Sequence, residues 1–279
     1  MSSSPTTIEQ ALSHATKQLR AAGIATARLD ALVLLEDLLN TNRTQILAHP
    51  ERGITEVELE KLRVSITQRS HHIPLAYIRG KTEFYGREFI ITQDVLEPRP
   101  ESETMIDLLK QLPGPVDSVI DIGTGSGALA ITAKLELLSP AICAIDIDPK
   151  CLQVAKNNAK RLQADVTFLS GDLLAPVPVT ALNTQTVLLC NLPYVPDTFQ
   201  VNTAALHEPR LAIFGGPDGL ELYRKLFRQI IGMSHRPTYV LTESMPPQHK
   251  ALTDIAIDTG YTLTTSEDFI QVFRHPLAD

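Results

Sequence analysis

A glycine-rich loop near the middle of the chain has the residue types that bind a nucleoside. An apolar run ends just after Asp121, and the segment Gly123-Thr124-Gly125-Ser126-Gly127 follows it. Glycine lets a backbone turn sharply and lets a ligand approach without meeting a β-carbon. The next apolar run ends at Asp146, whose carboxylate can accept hydrogen bonds from both hydroxyls of a ribose. We therefore predict that these residues bind a cofactor that contains a nucleoside.

Two classes of cofactor use a loop of this kind. Gly123, Gly125 and Ala128 also satisfy the dinucleotide pattern, and an acidic residue follows at about the expected distance. Asp121 just before the glycines favours S-adenosylmethionine, because that molecule carries cationic sulfonium and ammonium groups and lacks a pyrophosphate. An NAD-dependent oxidoreductase would also need a proton-relay residue after a strand, and the sequence shows no evident one. The pattern therefore favours S-adenosylmethionine as the cofactor.

A second acidic segment, Gly171-Asp172-Leu173, is a candidate for the adenine end of the cofactor. Asp172 could accept a hydrogen bond from the exocyclic amine, and Leu173 could pack on the ring. A solvated acidic loop would have the same residues, and the sequence alone leaves both interpretations open.

The tetrapeptide Asn191-Leu192-Pro193-Tyr194 follows another apolar run and has groups that can hold a planar amide or amino nitrogen. The side-chain oxygen of Asn191 can accept one N–H, and the carbonyl of Leu192 can accept the other. Pro193 restricts the backbone, and Tyr194 can stack on the planar group. Asn191 is also expected to contact the cofactor. Asparagine and proline are common in turns, but a turn does not explain their place beside a cofactor loop. We therefore predict methyl transfer to nitrogen, accelerated mainly by positioning.

The elements that position these residues change in character along the chain. The N-terminal part has apolar residues at three- to four-residue spacing, which is typical of amphipathic helices, as in Thr7–Ala22 and after Thr26. Thr55 and Glu58 form a capping-box pattern at the start of a further helix. Two β-rich runs, Glu83–Tyr85 and Arg87–Thr92, predict a hairpin around Gly86, and a proline-rich linker comes next. We predict a helical domain over residues 1–73 and a hairpin and linker over residues 74–100.

Strands and helices alternate through the rest of the chain, and this alternation indicates an α/β fold with a parallel, doubly wound sheet. Strands are predicted over Val116–Ile122, Ala141–Ile147, Val166–Ser170, Thr186–Cys190 and Thr238–Glu243, with a final antiparallel pair over Tyr261–Thr265 and Phe269–Arg274. Helices are predicted over Glu101–Leu112, Gly127–Leu138, Pro149–Leu162, Leu220–Met233 and Pro247–Asp258. The catalytic domain is predicted over residues 101–279.

The composition narrows the possible partners. The chain has 279 residues and a formal net charge of −7, which gives no basic surface for a phosphate backbone, so we expect no direct binding to nucleic acid. Cys143, Cys151 and Cys190 have no metal-ligand spacing, and no metal site is predicted. The longest apolar stretch, Leu29–Leu39, is interrupted by acidic residues and is too short to span a bilayer. We expect a cytoplasmic monomer without a membrane anchor.

The sequence resembles the HemK/PrmC family, the release-factor glutamine N5-methyltransferases, over nearly its whole length. The matching segments are 27–31 (ARLDA), 74–77 (PLAY) with Gly80, 83–86 (EFYG), 96–103 (LEPRPESE), 191–194 (NLPY), 208–212 (EPRLA), 215–216 (GG) and 218–220 (DGL). The resemblance implies a helical N-terminal domain that helps to bind the release factor, and a seven-stranded, Rossmann-like class I methyltransferase domain. It also implies that Gly123 to Gly127, Asp146 and Leu173 bind the cofactor. Asn191 to Tyr194 would hold the glutamine of the Gly-Gly-Gln motif in the factor.

Two positions depart from the family pattern. Leu192 replaces the first proline of the usual Asn-Pro-Pro-Tyr, and Thr242-Glu243-Ser244-Met245 stands where the family tends to have Glu, a small residue and Gly. Asn-Leu-Pro-Tyr also resembles the tetrapeptide of ribosomal RNA adenine dimethyltransferases, which lack this N-terminal region. Methylation of an adenine or another amino group in RNA or DNA is therefore the alternative reaction. An alternative of another class is a non-catalytic partner module that binds S-adenosylmethionine.

Overall fold

The computed structural model describes residues 6–137, 140–178 and 185–276. Backbone contacts divide the chain into two compact units. The first unit ends at Gly80 and also includes Asn202–His207. The second unit consists of Lys81–Val201 and the residues from Glu208 onward. In the described part of the chain, no helix is long and apolar enough to cross a membrane.

The first unit is helical. Its helices are α1 (Ile8–Ala21), α2 (Ala27–Leu39), α3 (Arg43–Ala48), α4 (Glu56–Ser70) and α5 (Leu75–Arg79). The capping box predicted at Thr55 is confirmed, because the Thr55 hydroxyl accepts from the Glu58 N–H at 3.3 Å and Glu58 Oε2 accepts from the Thr55 N–H at 2.8 Å. Thr26 precedes α2 without a capping hydrogen bond from its side chain. Leu19, Leu35 and Ile46 are fully buried in the core of this unit.

The second unit begins with a two-stranded hairpin of β1 (Lys81–Phe84) and β2 (Arg87–Ile90). The sequence places Tyr85 at the end of the first strand, and the structure corrects this. Tyr85 and Gly86 have φ angles of 51° and 69° and form the turn; positive φ at both central residues is typical of the type I′ hairpin turn. A 3₁₀ turn at Pro100–Ser102 then leads into α6 (Glu103–Lys110), so the predicted helix begins as a 3₁₀ turn.

The predicted seven-stranded sheet is confirmed, in the order β5-β4-β3-β6-β7-β9-β8. Its strands are β3 (Ser118–Ile122), β4 (Ala141–Asp146), β5 (Thr167–Ser170), β6 (Thr186–Cys190), β7 (Tyr239–Glu243), β8 (Thr262–Glu267) and β9 (Ile270–Arg274). β9 runs antiparallel to both β7 and β8, and the other pairs are parallel. The helices between strands are α7 (Ala128–Glu136), α8 (Pro149–Leu162), α9 (Glu221–Ile231) and α10 (His249–Ile257).

The centre of this sheet determines where a ligand can bind. From β3 the chain moves outward through β4 and β5, whereas β6 starts the other half of the sheet, so the strand order reverses between β3 and β6. Open α/β sheets bind ligands at such a switch point, beyond the carboxyl ends of the strands. Ile122 pairs with Cys190 in the register of these two strands. The residues that follow them, the glycine loop and the Asn191 tetrapeptide, therefore emerge side by side.

Candidate active site

The glycine loop leaves β3 with a backbone that only glycine adopts easily. Gly123, Gly125 and Gly127 have φ angles of 74°, 53° and 83°. The N–H groups of Gly123 and Thr124 both donate to the carbonyl of Ile145, at 2.8 and 2.9 Å, which ties the loop to the neighbouring strand β4. These bonds fix the start of the loop at the carboxyl end of β4.

Gly123 and Gly127 have different roles. A β-carbon on Gly123 would lie 3.2 Å from Cδ2 of Leu192, so the loops after β3 and β6 are in close contact there. A β-carbon on Gly127 would lie 2.9 Å from Cδ1 of Ile131 and 3.1 Å from Cβ of Ala155. Gly127 therefore permits α7 to pack against α8, and its positive φ explains why the helix begins at Ala128, one residue later than predicted. The predicted end of this helix, Leu138, lies outside the described residues.

A cleft opens between the glycine loop and the hairpin-linker segment. Its polar side is lined by Asp121, Gly123, Thr124, Gly125, Ser126, Ser102 and Asn191. Phe84, Leu96 and Pro98 line the same cleft with apolar surface. The predicted loop residues other than Gly127 thus line one cleft with Asn191, whereas Asp146, Asp172 and Leu173 are not among its lining residues.

Asp121 lies at the base of this cleft and is only 1% exposed. Its Oδ2 accepts hydrogen bonds from the Thr124 hydroxyl at 2.6 Å and from the Ala130 N–H at 3.2 Å. Burial raises the pKa of this carboxyl to about 7, and the nearby charge of Asp146 adds to the shift against the two hydrogen bonds. Both donors are neutral, so a cation in the cleft would favour the ionised form of Asp121.

Asp146, the last residue of β4, is hydrogen-bonded to the glycine loop. One carboxylate oxygen accepts from the Gly125 N–H and the other from the Asp148 N–H, both at 2.9 Å. A carboxylate has about four lone-pair sites, so both oxygens can still accept from a diol. Burial raises the pKa of Asp146, and these backbone hydrogen bonds lower it. The next side chain, Ile147, is 63% exposed and offers an apolar surface beside the carboxylate.

The segment after β5 is held by α9. Lys225 forms an ion pair with Asp172, and Gln229 accepts from the Leu174 N–H at 2.8 Å. Leu173 has a φ of 56°, is only 7% exposed and packs into the core of the sheet with Ile145. The expected contacts of Asp172 and Leu173 with an adenine ring remain predictions.

The predicted tetrapeptide forms a chain of hydrogen bonds that the sequence did not reveal. Nδ2 of Asn191 donates to Oγ of Ser102 at 2.9 Å. Ser102 in turn donates to Oε2 of Glu243 at 2.6 Å, and the Tyr194 hydroxyl donates to Oε1 of the same carboxylate at 3.0 Å. Glu243 is only 1% exposed. Burial raises its pKa against these hydrogen bonds, and burial together with the charge of Glu243 raises the pKa of the Tyr194 hydroxyl.

Two glycines hold the backbone of the tetrapeptide from behind. A β-carbon on Gly215 would overlap the carbonyl oxygen of Pro193, and one on Gly219 would overlap that of Tyr194. Nε2 of Gln248 also donates to the Tyr194 carbonyl at 2.7 Å. The glycine-rich stretch therefore lies directly against the backbone of the tetrapeptide, at a distance that leaves no room for a β-carbon.

Leu192, which stands where the family has its first proline, has a buried side chain and a hydrogen-bonded backbone N–H. Its side chain is 2% exposed and belongs to the core under the sheet. Leucine keeps the backbone N–H that proline lacks, and this N–H donates to the Tyr223 hydroxyl at 3.4 Å. The hydroxyl also lies 2.9 Å from the Cys190 carbonyl. Tyr223, which is fully buried, therefore supplies a partner for the group that the substitution introduces.

Ser102 and Glu243 are the site residues that the sequence analysis did not assign. Ser102 stands in the segment 96–103 that resembles the family, and Glu243 is the last residue of β7. A carboxylate at the carboxyl end of a central parallel strand is a signal for a site residue, but its partners follow only from the fold.

Solved structures of known enzymes define the class of this fold. The hMettl16 catalytic domain, in complex with a hairpin of the MAT2A 3′UTR, superimposes with a TM-score of 0.54 at 15% identity, covering 81% of this chain and 83% of that one. A methyltransferase from Pyrococcus furiosus gives a TM-score of 0.51 at 18% identity, covering 70% of this chain and 91% of that one. The sheet order and the glycine loop after its first strand are those of the class I methyltransferases.

Sequence comparisons define the family. The family model of the PrmC N-terminal domain matches residues 10–80, and that of ribosomal protein L11 methyltransferase (PrmA) matches residues 101–192. The release factor glutamine methyltransferase of Koribacter versatilis is 38% identical over 80% of this chain and 81% of its own. That of Bacillus subtilis is 34% identical over 90% of this chain and 89% of its own. That of Moorella thermoacetica is 35% identical over 91% of each chain. The chain belongs to the release factor glutamine methyltransferase family, which confirms the resemblance seen in the sequence.

Proposed function

We propose that this protein transfers the methyl group of S-adenosylmethionine to the side-chain amide N5 of the glutamine in the Gly-Gly-Gln motif of peptide chain release factors. The observation that carries the proposal is the orientation of Asn191. Its Nδ2 is engaged by Ser102, so its Oδ1 is the group available to a substrate N–H in the cleft. Release factors act in the cytoplasm, and we expect the protein to act there as a monomer.

The cleft suits S-adenosylmethionine, which when bound supplies an electrophilic methyl group on a cationic sulfur. Asp121 is buried, ionises near pH 7 and has neutral hydrogen-bond donors, so it fits a cationic ligand. Asp146 keeps lone pairs for a ribose diol. Phe84, Leu96 and Pro98 add apolar surface that the uncharged parts of the cofactor can contact.

The tetrapeptide then holds the target nitrogen. A primary amide has two N–H groups in one plane, and Asn191 Oδ1 and the Leu192 carbonyl are the two acceptors proposed for them. Engaging both N–H groups fixes the nitrogen and raises the electron density of its lone pair. The ring of Tyr194, anchored through its hydroxyl to Glu243, can stack on the amide plane. No general base is required, because the nitrogen proton becomes acidic once the methyl group has transferred.

The proposal is tested by methyl transfer from radiolabelled S-adenosylmethionine to a purified release factor. We expect label on the wild-type factor and none on a factor whose Gly-Gly-Gln glutamine is replaced by alanine. Ribosomal RNA and DNA are incubated in parallel tubes. Label on nucleic acid with none on the factor would favour the amino-group reaction on RNA or DNA. No transfer in any tube, with the cofactor still bound, would favour the partner module.

A further inference from the structure

One buried carboxylate anchors both polar groups of the tetrapeptide. Glu243 accepts from Ser102 on one oxygen and from Tyr194 on the other. Ser102 carries this connection on to Asn191, across a separation of 89 residues in sequence. Ser102 and Glu243 are 2% and 1% exposed, so water does not compete for these hydrogen bonds.

The direction of donation along the hydrogen bonds from Asn191 through Ser102 to Glu243 follows from the number of protons that these side chains carry. A carboxylate accepts only, so the single proton of the Ser102 hydroxyl points to Glu243. Oγ of Ser102 then faces Asn191 as an acceptor, and only the Nδ2 group of the amide can satisfy it. The amide is thereby prevented from flipping, and Oδ1 stays directed away from Ser102.

We propose that Ser102 and Glu243 are positioning residues that fix the Asn191 amide with its oxygen as the acceptor for the substrate N–H. This inference rests on the proposed function and deepens it. With Asn191 in this orientation the site offers an acceptor to a substrate donor. In the reverse orientation Asn191 would offer its Nδ2 group, and this donor would face the N–H donor of the substrate.

Exchanging the charge between the two ends of the hydrogen-bond chain is the sharpest test. In Glu243→Gln, the new amide can donate to Ser102, and Ser102 can then donate to Oδ1 of Asn191, which reverses the chain. In Asn191→Asp, an oxygen replaces the Nδ2 group that donates to Ser102, and a second carboxylate comes close to Glu243. In the double variant each hydrogen-bond donor faces an acceptor again. The amide nitrogen introduced at position 243 donates to Ser102, and the carboxylate introduced at position 191 accepts from it.

The assay measures kcat and KM for the release factor, together with the dissociation constant of S-adenosylmethionine. We expect each single change to lower kcat by about 10-fold or more. Glu243→Gln allows the Asn191 amide to turn its oxygen toward Ser102, and Asn191→Asp leaves the single proton of Ser102 between two carboxylates. The affinity of Glu243→Gln for the cofactor should stay within about 2-fold of wild type. The double variant should recover at least about 10-fold in kcat over Asn191→Asp, a non-additive result that general loosening of the fold would not produce.

Ser102→Ala supplies the second arm, with Ser118→Ala as its matched control. Ser118 also has a partly buried hydroxyl, 2.8 Å from Oγ1 of Thr186, but it lies at the opposite end of β3 from the cleft. We expect Ser102→Ala to lower kcat by about 10-fold with little change in KM, and Ser118→Ala to leave both unchanged.

The outcomes separate the inference from the proposed function. If the wild-type protein fails to methylate the release factor, the proposed function is wrong. If the wild type is active and Ser102→Ala keeps its kcat, or if the double variant is no better than Asn191→Asp, the positioning role is overturned. Recovery in the double variant together with loss in Ser102→Ala supports the role.

Discussion

Replacement of Asp121 by asparagine separates the charge of this side chain from its hydrogen bonds. The amide oxygen of Asn can still accept from the Thr124 hydroxyl and the Ala130 N–H, since both bonds go to a single oxygen of Asp121. What the change removes is a carboxylate that burial makes difficult to ionise. The variant therefore measures the free-energy cost of keeping this charge at the base of the cleft.

The magnitude follows from the pKa of Asp121, which is about 7 in the folded protein against an ordinary value of 3.8. Because the folded state binds the proton more tightly, wild-type stability falls as the pH rises from near the lower value to near the upper one. The full shift corresponds to about 4 kcal/mol at ~1.36 kcal/mol per pKa unit. Between pH 5 and pH 8, the stability of Asp121→Asn relative to wild type should rise by about 2–3 kcal/mol.

Urea unfolding of both ligand-free proteins across this pH range checks the value, because subtracting wild type from variant removes the contributions of the groups that do not interact with Asp121. A stability difference that does not change with pH would refute the reasoning. The same charge should bind the cationic cofactor, so wild-type affinity for S-adenosylmethionine should rise with pH through about 7. Calorimetry in buffers of different ionisation enthalpy should show proton release on binding near pH 6.5, and no release from the variant.

Three further changes test separate parts of the site. Asn191→Ala should abolish methyl transfer while calorimetry still detects cofactor binding; loss of both would mean a structural role. Asp146→Ala should weaken cofactor binding by about 10-fold or more, since it removes charge-assisted hydrogen bonds, and an unchanged dissociation constant would remove Asp146 from the cofactor site. Gly219→Ala should lower both the melting temperature and activity, because its β-carbon would overlap the Tyr194 carbonyl. Gly114→Ala is its control: φ is positive there too, at 88°, but the β-carbon would meet open space, so only the strain of about 1 kcal/mol remains.

The parts of the fold that the sequence predicts are those determined by local patterns. Apolar runs that alternate with amphipathic segments indicate the parallel sheet, and glycines after the first strand indicate the loop. The errors at element ends also have local causes. Tyr85 belongs to a turn because its φ is positive, and Gly127 precedes its helix for the same reason. Hydropathy patterns do not report backbone angles of this kind.

The parts that the sequence does not predict depend on which distant residues meet. Ser102 and Glu243 are 141 residues apart, and they come together because α6, which follows Ser102 directly, packs against β7. Asp172 pairs with Lys225, a partner set by the register of α9. No spacing rule connects such positions, whereas the residues within the glycine loop and within the tetrapeptide are adjacent in sequence.

The most direct test of the account is tandem mass spectrometry of a release factor after incubation with the wild-type protein and S-adenosylmethionine. The account predicts the mass of one added methyl group on the glutamine of the Gly-Gly-Gln motif, and none when Asn191→Ala replaces the wild type. A methyl group on another residue, or an unmodified factor in a reaction where the protein binds its cofactor, would contradict it.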